Sequence, residues 1–265
     1  MRTGPYRESR RIGPRHATIS RVSDEILVVR CGIVPYEEAL VAQRWLEGAR
    51  QEGEVPDVLL LLEHPPVYTR GRRSSDDELP MQREWYEMQG IEVHETDRGG
   101  RVTYHGPGQL VAYPIVSLKP YGDDVHEYVR RLERVAIEGL AAYGVAAKTI
   151  DGLTGVWTEG ETPGAEAGQD AARKIGSIGV HVSRGVTTHG LAINVNNDLQ
   201  PFEWVVPCGI DNCRVTSLGR VLGAEQDLVA FGDSIAARYG EIFERTLVAR
   251  GPAELGLDSA RLGVA

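Results

Sequence analysis

The stretch RGGRVTYHGPGQ, residues 98–109, carries the most structural and chemical information in this chain of 265 residues. Glycines at 99, 100, 106 and 108 bracket Tyr104 and His105. Glycine permits positive φ and lets a backbone approach a ligand closely. Ordinary turns around a short strand would also explain glycine pairs, but they do not require two polar aromatic side chains between them. The stretch therefore predicts a short strand whose flanking turns contact a ligand.

Two further segments carry candidate reactive groups. RKIGSIGVHV, residues 173–182, places Lys174 at the start of an alternating strand, where a solvated surface lysine is the ordinary alternative. HGLAINVNNDLQPFEWVVPC, residues 189–208, predicts a strand, a turn and then Cys208 between a proline and a glycine. Such neighbours would fix a thiol at a turn, although free cysteines are often buried and inert.

Cysteine usage predicts free thiols rather than disulfides. The chain has three cysteines, Cys31, Cys208 and Cys213, an odd number in an intracellular-looking sequence. Cys31 ends an apolar strand and is expected in the core. The Cys-x4-Cys spacing departs from the Cys-x2-Cys of most structural zinc sites, and His181 and His189 lie eight residues apart, so no metal site is expected.

Composition and charge exclude several functional classes. With 42% hydrophobic and 25% charged residues, the chain is close to the globular average and long enough to bury a core. A net charge of −9 argues against non-specific nucleic-acid binding. No apolar run approaches the roughly 20 residues of a membrane span, and the N-terminus lacks the apolar stretch of a secretory signal. A cytoplasmic monomer that binds neither nucleic acid nor membrane is expected.

The alternation of apolar runs and amphipathic helices predicts a single α+β domain with a mixed sheet flanked by helices. Helices are expected after Pro35, over 124–143 and over 228–248, all as packing elements. Strands are expected near 26–31, 58–63, 91–95, 101–104, 110–117, 145–148, 154–158, 174–183 and 188–196.

Three segments outside these elements are expected to be loosely ordered. Residues 1–24 form a basic arm, since residues 1–21 contain six arginines and one glutamate. Residues 158–172 are expected to form a flexible loop within a catalytic domain over 25–250. Residues 251–265 are expected to form a C-terminal tail.

Together these segments resemble the octanoyltransferases of lipoate biosynthesis, the lipoyl/octanoyl transferase B family, which shares a fold with lipoate and biotin protein ligases. The resemblance covers roughly residues 25–245 in the expected order. The long 158–172 loop and the basic arm depart from the family pattern. The matching text is HPPVYTRG at 64–71, RGGRVTYHGPGQLVAYPIV at 98–116, GVW at 155–157, RKIGSIGV at 173–180, HGLAINVNNDLQPF at 189–202 and PCGI at 207–210.

The resemblance implies a fold like the biotin and lipoate ligase catalytic module and a reactive pair. Cys208 would carry the acyl group, Lys174 would lower the pKa of its thiol, and His189 would be an accessory group. The implied substrate-binding residues come from three segments: Arg98, Gly99, Gly100, Arg101, Val102, Thr103, Tyr104 and His105; Ser177, Ile178 and Gly179; and Gly190, Leu191 and Ala192.

The expected reaction follows from thiol chemistry together with the resemblance. A thiolate attacks well whereas a thiol does not, and a nearby ammonium favours the thiolate. Cys208 would take the octanoyl group from octanoyl-acyl carrier protein and pass it to a lysine of a lipoyl domain. The implied acceptors are the lipoyl domains of 2-oxoacid dehydrogenase complexes and the glycine cleavage H protein. No ATP or metal cofactor is expected.

Both partners are typically acidic, so a basic docking patch is expected at the mouth of the site, with Arg70, Arg72, Arg73 and the arm arginines as candidates.

The sequence leaves three alternative functions open. An ATP-dependent lipoate or biotin ligase would use a lysine without a cysteine nucleophile. A non-catalytic acyl-binding module would keep the pocket without turnover. A cysteine hydrolase would pair Cys208 with His189.

Overall fold

The architecture is that of a computed structural model, which describes residues 24–159, 171–206 and 213–257. Several predicted features lie outside the described residues: Cys208, the basic arm up to residue 23, residues 160–170 of the expected loop and residues 258–265 of the expected tail.

A mixed sheet of eight strands forms the centre of the fold, and a three-stranded sheet lies beside it. The strands in the described ranges are β1 (Glu25–Ile33), β2 (Asp57–Glu63), β3 (Val67–Arg70), β4 (Glu92–Glu95), β5 (Thr103–His105), β6 (Gln109–Ile115), β7 (Ala147–Ile150), β8 (Leu153–Thr158), β9 (Lys174–Ser183), β10 (Val186–Asn194) and β11 (Thr246–Arg250).

The large sheet has the order β11-β1-β2-β6-β10-β9-β8-β7, and the small sheet has the order β4-β3-β5. Strands β11, β1 and β2 are parallel, whereas each later neighbour in the large sheet is antiparallel. The sequence of β2, DVLLLLE, is buried along almost its whole length, as expected for a strand covered on both faces. The predicted mixed sheet is confirmed.

Helices α1 (Tyr36–Gln51), α3 (Val125–Ala141), α4 (Leu218–Leu222) and α5 (Leu228–Ile242) cover the two faces of the large sheet, whereas α2 (Arg83–Met88) packs against the small sheet. The core on one face includes residues of α1, and that on the other includes residues of α3 and α5. The side chain of Asp124 accepts hydrogen bonds from the amides of His126 and Glu127, which explains why α3 begins there. No helix in the described ranges is long and apolar enough to cross a membrane.

The C-terminal part of the sequence prediction is wrong in two places. The third helix was expected to reach residue 248, but α5 ends at Ile242, Glu244 adopts φ of 54°, and β11 then pairs with β1. Pairing satisfies backbone groups that β1 would otherwise expose at the sheet edge. The expected tail is also packed at its start, because Leu255 and Leu257 are buried against the core on the α1 side.

Short elements were missed as well. Strand β3 and helices α2 and α4 are four to six residues long, too short for apolar periodicity to identify. Strand β3 is the centre of the small sheet, where Tyr68 and Tyr104 pack with Phe202. The small sheet therefore supports β5, the strand at the centre of the RGGRVTYHGPGQ stretch.

Candidate active site

A cavity of about 640 Å³ lies between the glycine-rich stretch and strands β9 and β10, a volume typical of small-molecule sites. Ile178, Leu191 and Val111 contribute apolar surface to it. Among the described residues the lining contains arginine, lysine and histidine side chains but no carboxylate. A cavity of this composition suits an apolar chain that ends in a group which develops negative charge.

Most of the predicted substrate-binding residues line this cavity. Pairing of β9 with β10 places Gly179 opposite Gly190, Ile178 opposite Leu191 and Ser177 opposite Ala192. The predicted residues that line it are Arg98, Gly99, Gly100, Arg101, Val102, Thr103, His105, Lys174, Ser177, Ile178, Gly179, His189, Gly190, Leu191 and Ala192.

Tyr104 is the exception, because its side chain does not line this cavity. Side chains alternate between the two faces of a strand, so Thr103 and His105 of β5 face the cavity while Tyr104 faces away. Its ring packs against Tyr68 and Phe202 at centroid distances of 5.5 and 5.4 Å. Tyr104 therefore anchors β5 in the aromatic core of the small sheet.

Arg98 fixes the turn that precedes β5. Its buried guanidinium donates hydrogen bonds to the carbonyl and hydroxyl oxygens of Thr69 and to the carbonyl oxygens of Gly99 and Arg101. The turn also touches β9, because the Gly99 amide donates to the carbonyl of Val180. Arg98 thus lines the cavity and also determines the shape of its wall.

Two glycines make this close packing possible. A Cβ atom on Gly179 would lie 2.6 Å from the carbonyl oxygen of Gly99, and one on Gly71 would lie 2.5 Å from that of Gly100. Both distances are far below van der Waals contact. The backbone of residues 98–100 is therefore enclosed between β9 and the end of β3.

Lys174, the first residue of β9, is only 4% exposed, so the alternative of a solvated surface lysine is wrong. Its Nζ donates to the carbonyl oxygen of Thr154 at 3.4 Å and lies 5.5 Å from the centre of the Trp157 ring. Burial of an ammonium is costly unless such contacts compensate it. Lys174 therefore presents a cation to the cavity from a defined position.

Cys208 lies outside the described residues, so its role stays a prediction. The chain on its C-terminal side resumes beside Lys174: the Lys174 amide donates to the carbonyl of Arg214 at 2.8 Å, and the Thr216 amide donates to the carbonyl of Lys174 at 2.9 Å. The backbone that follows Cys208 is thus paired with the residue expected to activate it. On the N-terminal side, the Val206 amide donates to the carbonyl of Glu78.

His189 has a strained backbone and a carboxylate partner. Its φ is 58°, its amide donates to Oε1 of Gln43, and its Nε2 donates to Oδ1 of Asp97 at 2.8 Å. Burial lowers the pKa of His189 despite the nearby carboxylate, and the hydrogen bond from His189 lowers the pKa of Asp97. The pair is therefore a neutral imidazole and a carboxylate, with Nε2 engaged by Asp97.

A cluster of histidines and tyrosines adjoins the cavity: Tyr36, His105 and Tyr113 line it, and His64 packs against all three. His64 donates from Nδ1 to the carbonyl of Val34, which can only accept, so Nε2 accepts from the hydroxyl of Tyr113. His105 donates from Nδ1 to Oε1 of Gln109. Burial lowers the pKa of both histidines, that of His64 to about 4. The wall is consequently polar but uncharged.

Sequence reasoning missed several residues that line the cavity. Tyr36 begins α1, Tyr113 lies in an apolar strand, and His126 belongs to α3. Both helices were expected to serve packing alone, and nothing in the periodicity of an amphipathic helix marks its first turn as part of a site. Residues 152–154 also line the cavity and follow no recognisable motif.

Two of the candidate residues for the basic docking patch lie at the cavity. Arg72 and Arg73 are exposed and line the cavity. Arg70 does not belong with them, because its guanidinium forms ion pairs with Asp76 and Glu95 at 2.6 and 2.8 Å. Its charge is thereby neutralised within the small sheet and the turn that follows it.

Comparison with known proteins supports the resemblance. Residues 35–240 match the model of the lipoyl protein ligase A/B catalytic domain. An octanoyltransferase of Chloroflexus aurantiacus is 45% identical over 80% of this chain and 91% of its own length. An octanoyltransferase of Myxococcus xanthus is also 45% identical, over 83% of this chain, which spans 60% of that longer relative.

A solved structure of a bipartite lipoate protein ligase from Thermoplasma acidophilum superimposes with a TM-score of 0.66, at 14% identity, over 92% of this chain and 98% of that one. This likeness confirms the expected fold. The family match and the relatives, whose identity is far higher, define the kind of enzyme. The chain therefore belongs to the lipoyl protein ligase A/B catalytic domain family, and within that family it is an acyltransferase of the octanoyltransferase type.

Proposed function

We propose that this enzyme transfers an octanoyl group from a carrier-protein thioester to a lipoyl-domain lysine through a thioester on Cys208. The observation that carries the proposal is the buried ammonium of Lys174, which lies in the wall of the cavity and is paired through its backbone with the segment that follows Cys208. A cation beside a thiol favours the thiolate, which is the nucleophilic form.

The first half-reaction exchanges one thioester for another. The Cys208 sulfur attacks the thioester carbonyl carbon, a new carbon–sulfur bond forms, and the bond to the carrier's pantetheine sulfur breaks. The departing thiolate takes up the proton that Cys208 gave up, and Lys174 is the group placed to pass it on. Because both species are thioesters, this step is nearly balanced in energy.

The second half-reaction gives the cycle its direction. The neutral amine of the acceptor lysine attacks the enzyme thioester, the carbon–sulfur bond breaks, and the thiolate of Cys208 is restored. The proton that the amine nitrogen loses passes to Lys174, which gave up its own proton in the first half-reaction. The product is an amide, which is more stable than a thioester. Neither half-reaction consumes ATP or requires a metal ion.

The apolar part of the cavity would bind the acyl chain. Ile178 and Leu191 lie opposite each other on β9 and β10, and Val111 lies on the neighbouring strand β6. Each methylene buried there contributes about 0.8 kcal/mol. The wall formed by Tyr36, Tyr113 and His105 is neutral, which suits an uncharged acyl chain.

A transfer assay distinguishes this function from the ATP-dependent ligase alternative. The acceptor is a lipoyl domain, and the donors are octanoyl-carrier protein without ATP or free octanoate with ATP. We expect octanoylation of the domain only from the carrier thioester, with loss of transfer in Cys208→Ser. Transfer that requires ATP and free octanoate would identify a ligase instead.

Arg72 and Arg73 would attract acidic partners to the mouth of the cavity. The double reversal Arg72→Glu/Arg73→Glu should raise KM for octanoyl-carrier protein about tenfold, with little change for a small octanoyl thioester, because charge at an interface rim acts mainly on encounter. Arg134→Glu/Arg250→Glu is the matched control, since neither residue lines the cavity. Equal effects on the two donors would exclude a docking role.

A further inference from the structure

Glu133 is a buried carboxylate beside Lys174 that the transfer steps above do not use. It lies on the face of α3 that packs on the sheet and is only 8% exposed. Its Oε1 accepts a hydrogen bond from the amide of Gly155 at 3.0 Å. A buried carboxylate is costly to maintain without a function for its charge or its hydrogen bond.

The Gly155 amide belongs to the peptide group whose carbonyl oxygen is that of Thr154. That oxygen accepts the hydrogen bond from Nζ of Lys174 at 3.4 Å. One planar peptide group therefore lies between the carboxylate and the ammonium, with its N–H directed to Glu133 and its C=O directed to Lys174. Hydrogen bonds in such a chain polarise and strengthen one another.

Gly155 leaves the space that the lysine side chain occupies. It adopts φ of 129°, and a Cβ atom at this position would lie 2.8 Å from Cε of Lys174 and 2.7 Å from the carbonyl oxygen of Gly176. Any larger residue would displace either the lysine or the strand. The peptide group and the lysine are thus packed directly against each other.

We propose that Glu133 is a positioning residue that acts on Lys174 through the Thr154–Gly155 peptide group, orienting its carbonyl toward the ammonium and stabilising the charged form of the lysine. The proposal rests on the proposed function, in which that ammonium favours the Cys208 thiolate. It adds a third residue to the pair that the sequence indicates.

The charged groups around this arrangement come from helix α3 and from the strands that pack against it. Burial raises the pKa of the Glu133 carboxyl above its ordinary value, and the hydrogen bond from Gly155 and the charges of Arg130 on α3 and Lys174 on β9 oppose that shift. Strand β8 presents the ring of Trp157 to the ammonium. Lys148 on β7 pairs with Glu159, and His126 at the start of α3 lines the same cavity.

The test is the pH dependence of acylation by a small octanoyl thioester, measured for wild type, Glu133→Gln and Glu133→Asp. Glutamine keeps an oxygen that can accept from Gly155 but removes the charge. We expect the alkaline limb of its profile to move about one unit toward lower pH, as loss of one nearby charge predicts. Aspartate keeps the charge, so its alkaline limb should stay at the wild-type position even if its maximal rate falls.

Glu127→Gln is the matched control, because Glu127 lies on the same helix and pairs with Arg131. Its profile should coincide with that of wild type. Coincidence of the Glu133→Gln and wild-type profiles would overturn the proposal, as would equal displacement in the Gln and Asp variants, which would indicate packing instead of charge.

The variant Lys174→Met shows whether a negative result concerns the role of Glu133 alone or the proposed function as a whole. Loss of acylation in Lys174→Met together with an unshifted Glu133→Gln profile would leave the function intact and remove Glu133 from it. Acylation at the wild-type rate in Lys174→Met would contradict the proposed function, and the role of Glu133 with it. Thermal unfolding of each variant confirms that the folded enzyme is compared.

Discussion

Burial determines the protonation state of several histidine side chains around the cavity. His64, His105 and His189 are buried, and burial lowers the pKa of each. All three are therefore neutral in the folded protein near neutral pH. In the unfolded chain their pKa values are near 6.5. The folded state therefore loses stability relative to the unfolded state as the pH falls below that value.

The sign of this effect defines a stability prediction. The pKa of His64 falls from 6.5 to about 4 on folding. Between these values the unfolded chain binds more protons, so the stability contributed by the neutral form is present above pH 6.5 and is lost as the pH falls toward 4. The difference corresponds to about 3 kcal/mol for His64.

Chemical denaturation of wild type and His64→Gln from pH 7.5 to pH 4 measures this contribution. Glutamine can replace one hydrogen bond and does not titrate, so the variant should be less stable at pH 7.5 but should lose less stability on acidification. If the free energy of unfolding of His64→Gln fell with pH in parallel with that of wild type, His64 would not be the source of the acid sensitivity.

The residue scale is also where sequence reasoning was least reliable. Period-two alternation places Tyr104 on the opposite face from its neighbours Thr103 and His105, but a motif match assigns all three to one pocket. The burial of Lys174 could not be read from the sequence either, because it depends on the space left by Gly155 in a different strand.

Among the elements, the turn of residues 98–100 depends on close backbone contacts with β9. Gly179→Ala would place a Cβ atom 2.6 Å from the carbonyl oxygen of Gly99 and 3.2 Å from Cδ of Arg98. The backbone must then shift, at a cost of about 1–3 kcal/mol for an overpacked site. The displaced turn forms a wall of the cavity, so acylation should fall more than tenfold.

Thermal unfolding and the acylation rate together test this prediction. Gly48→Ala is the control, because a Cβ at that position would have no atom within 4 Å apart from those of its own helix backbone and its chain neighbours. It should leave acylation unchanged and stabilise the helix slightly. Wild-type acylation in Gly179→Ala would show that the enclosure of the turn does not matter.

Long helices and strands with clear apolar periodicity could be predicted from the sequence. Short elements, and a strand defined only by its pairing with a distant strand, could not. The start of α3 follows from the capping side chain of Asp124, a signal present in the sequence. Strand β11 follows α5 after a short turn, and only its pairing with β1 defines it as a strand. Local sequence cannot reveal a pairing between residues more than two hundred positions apart.

At the scale of the whole molecule, the sheet order brings distant motifs together. Strands β6, β10 and β9 are neighbours in the large sheet, and the turn before β5 packs against β9. The motifs that resemble one family in sequence thereby become the walls of one cavity. The sequence indicated which segments would line the site. That α3 contributes to the cavity, and that Glu133 lies beside Lys174, could be seen only in the folded structure.

The central claim is that Cys208 carries the acyl group, and the mass of the intact enzyme after mixing with octanoyl-carrier protein without ATP tests it most directly. We predict a gain of one octanoyl group that hydroxylamine removes, that Cys213→Ser retains and that Cys208→Ser lacks. No gain in mass, a gain that persists in Cys208→Ser, or modification only with ATP and free octanoate would contradict it.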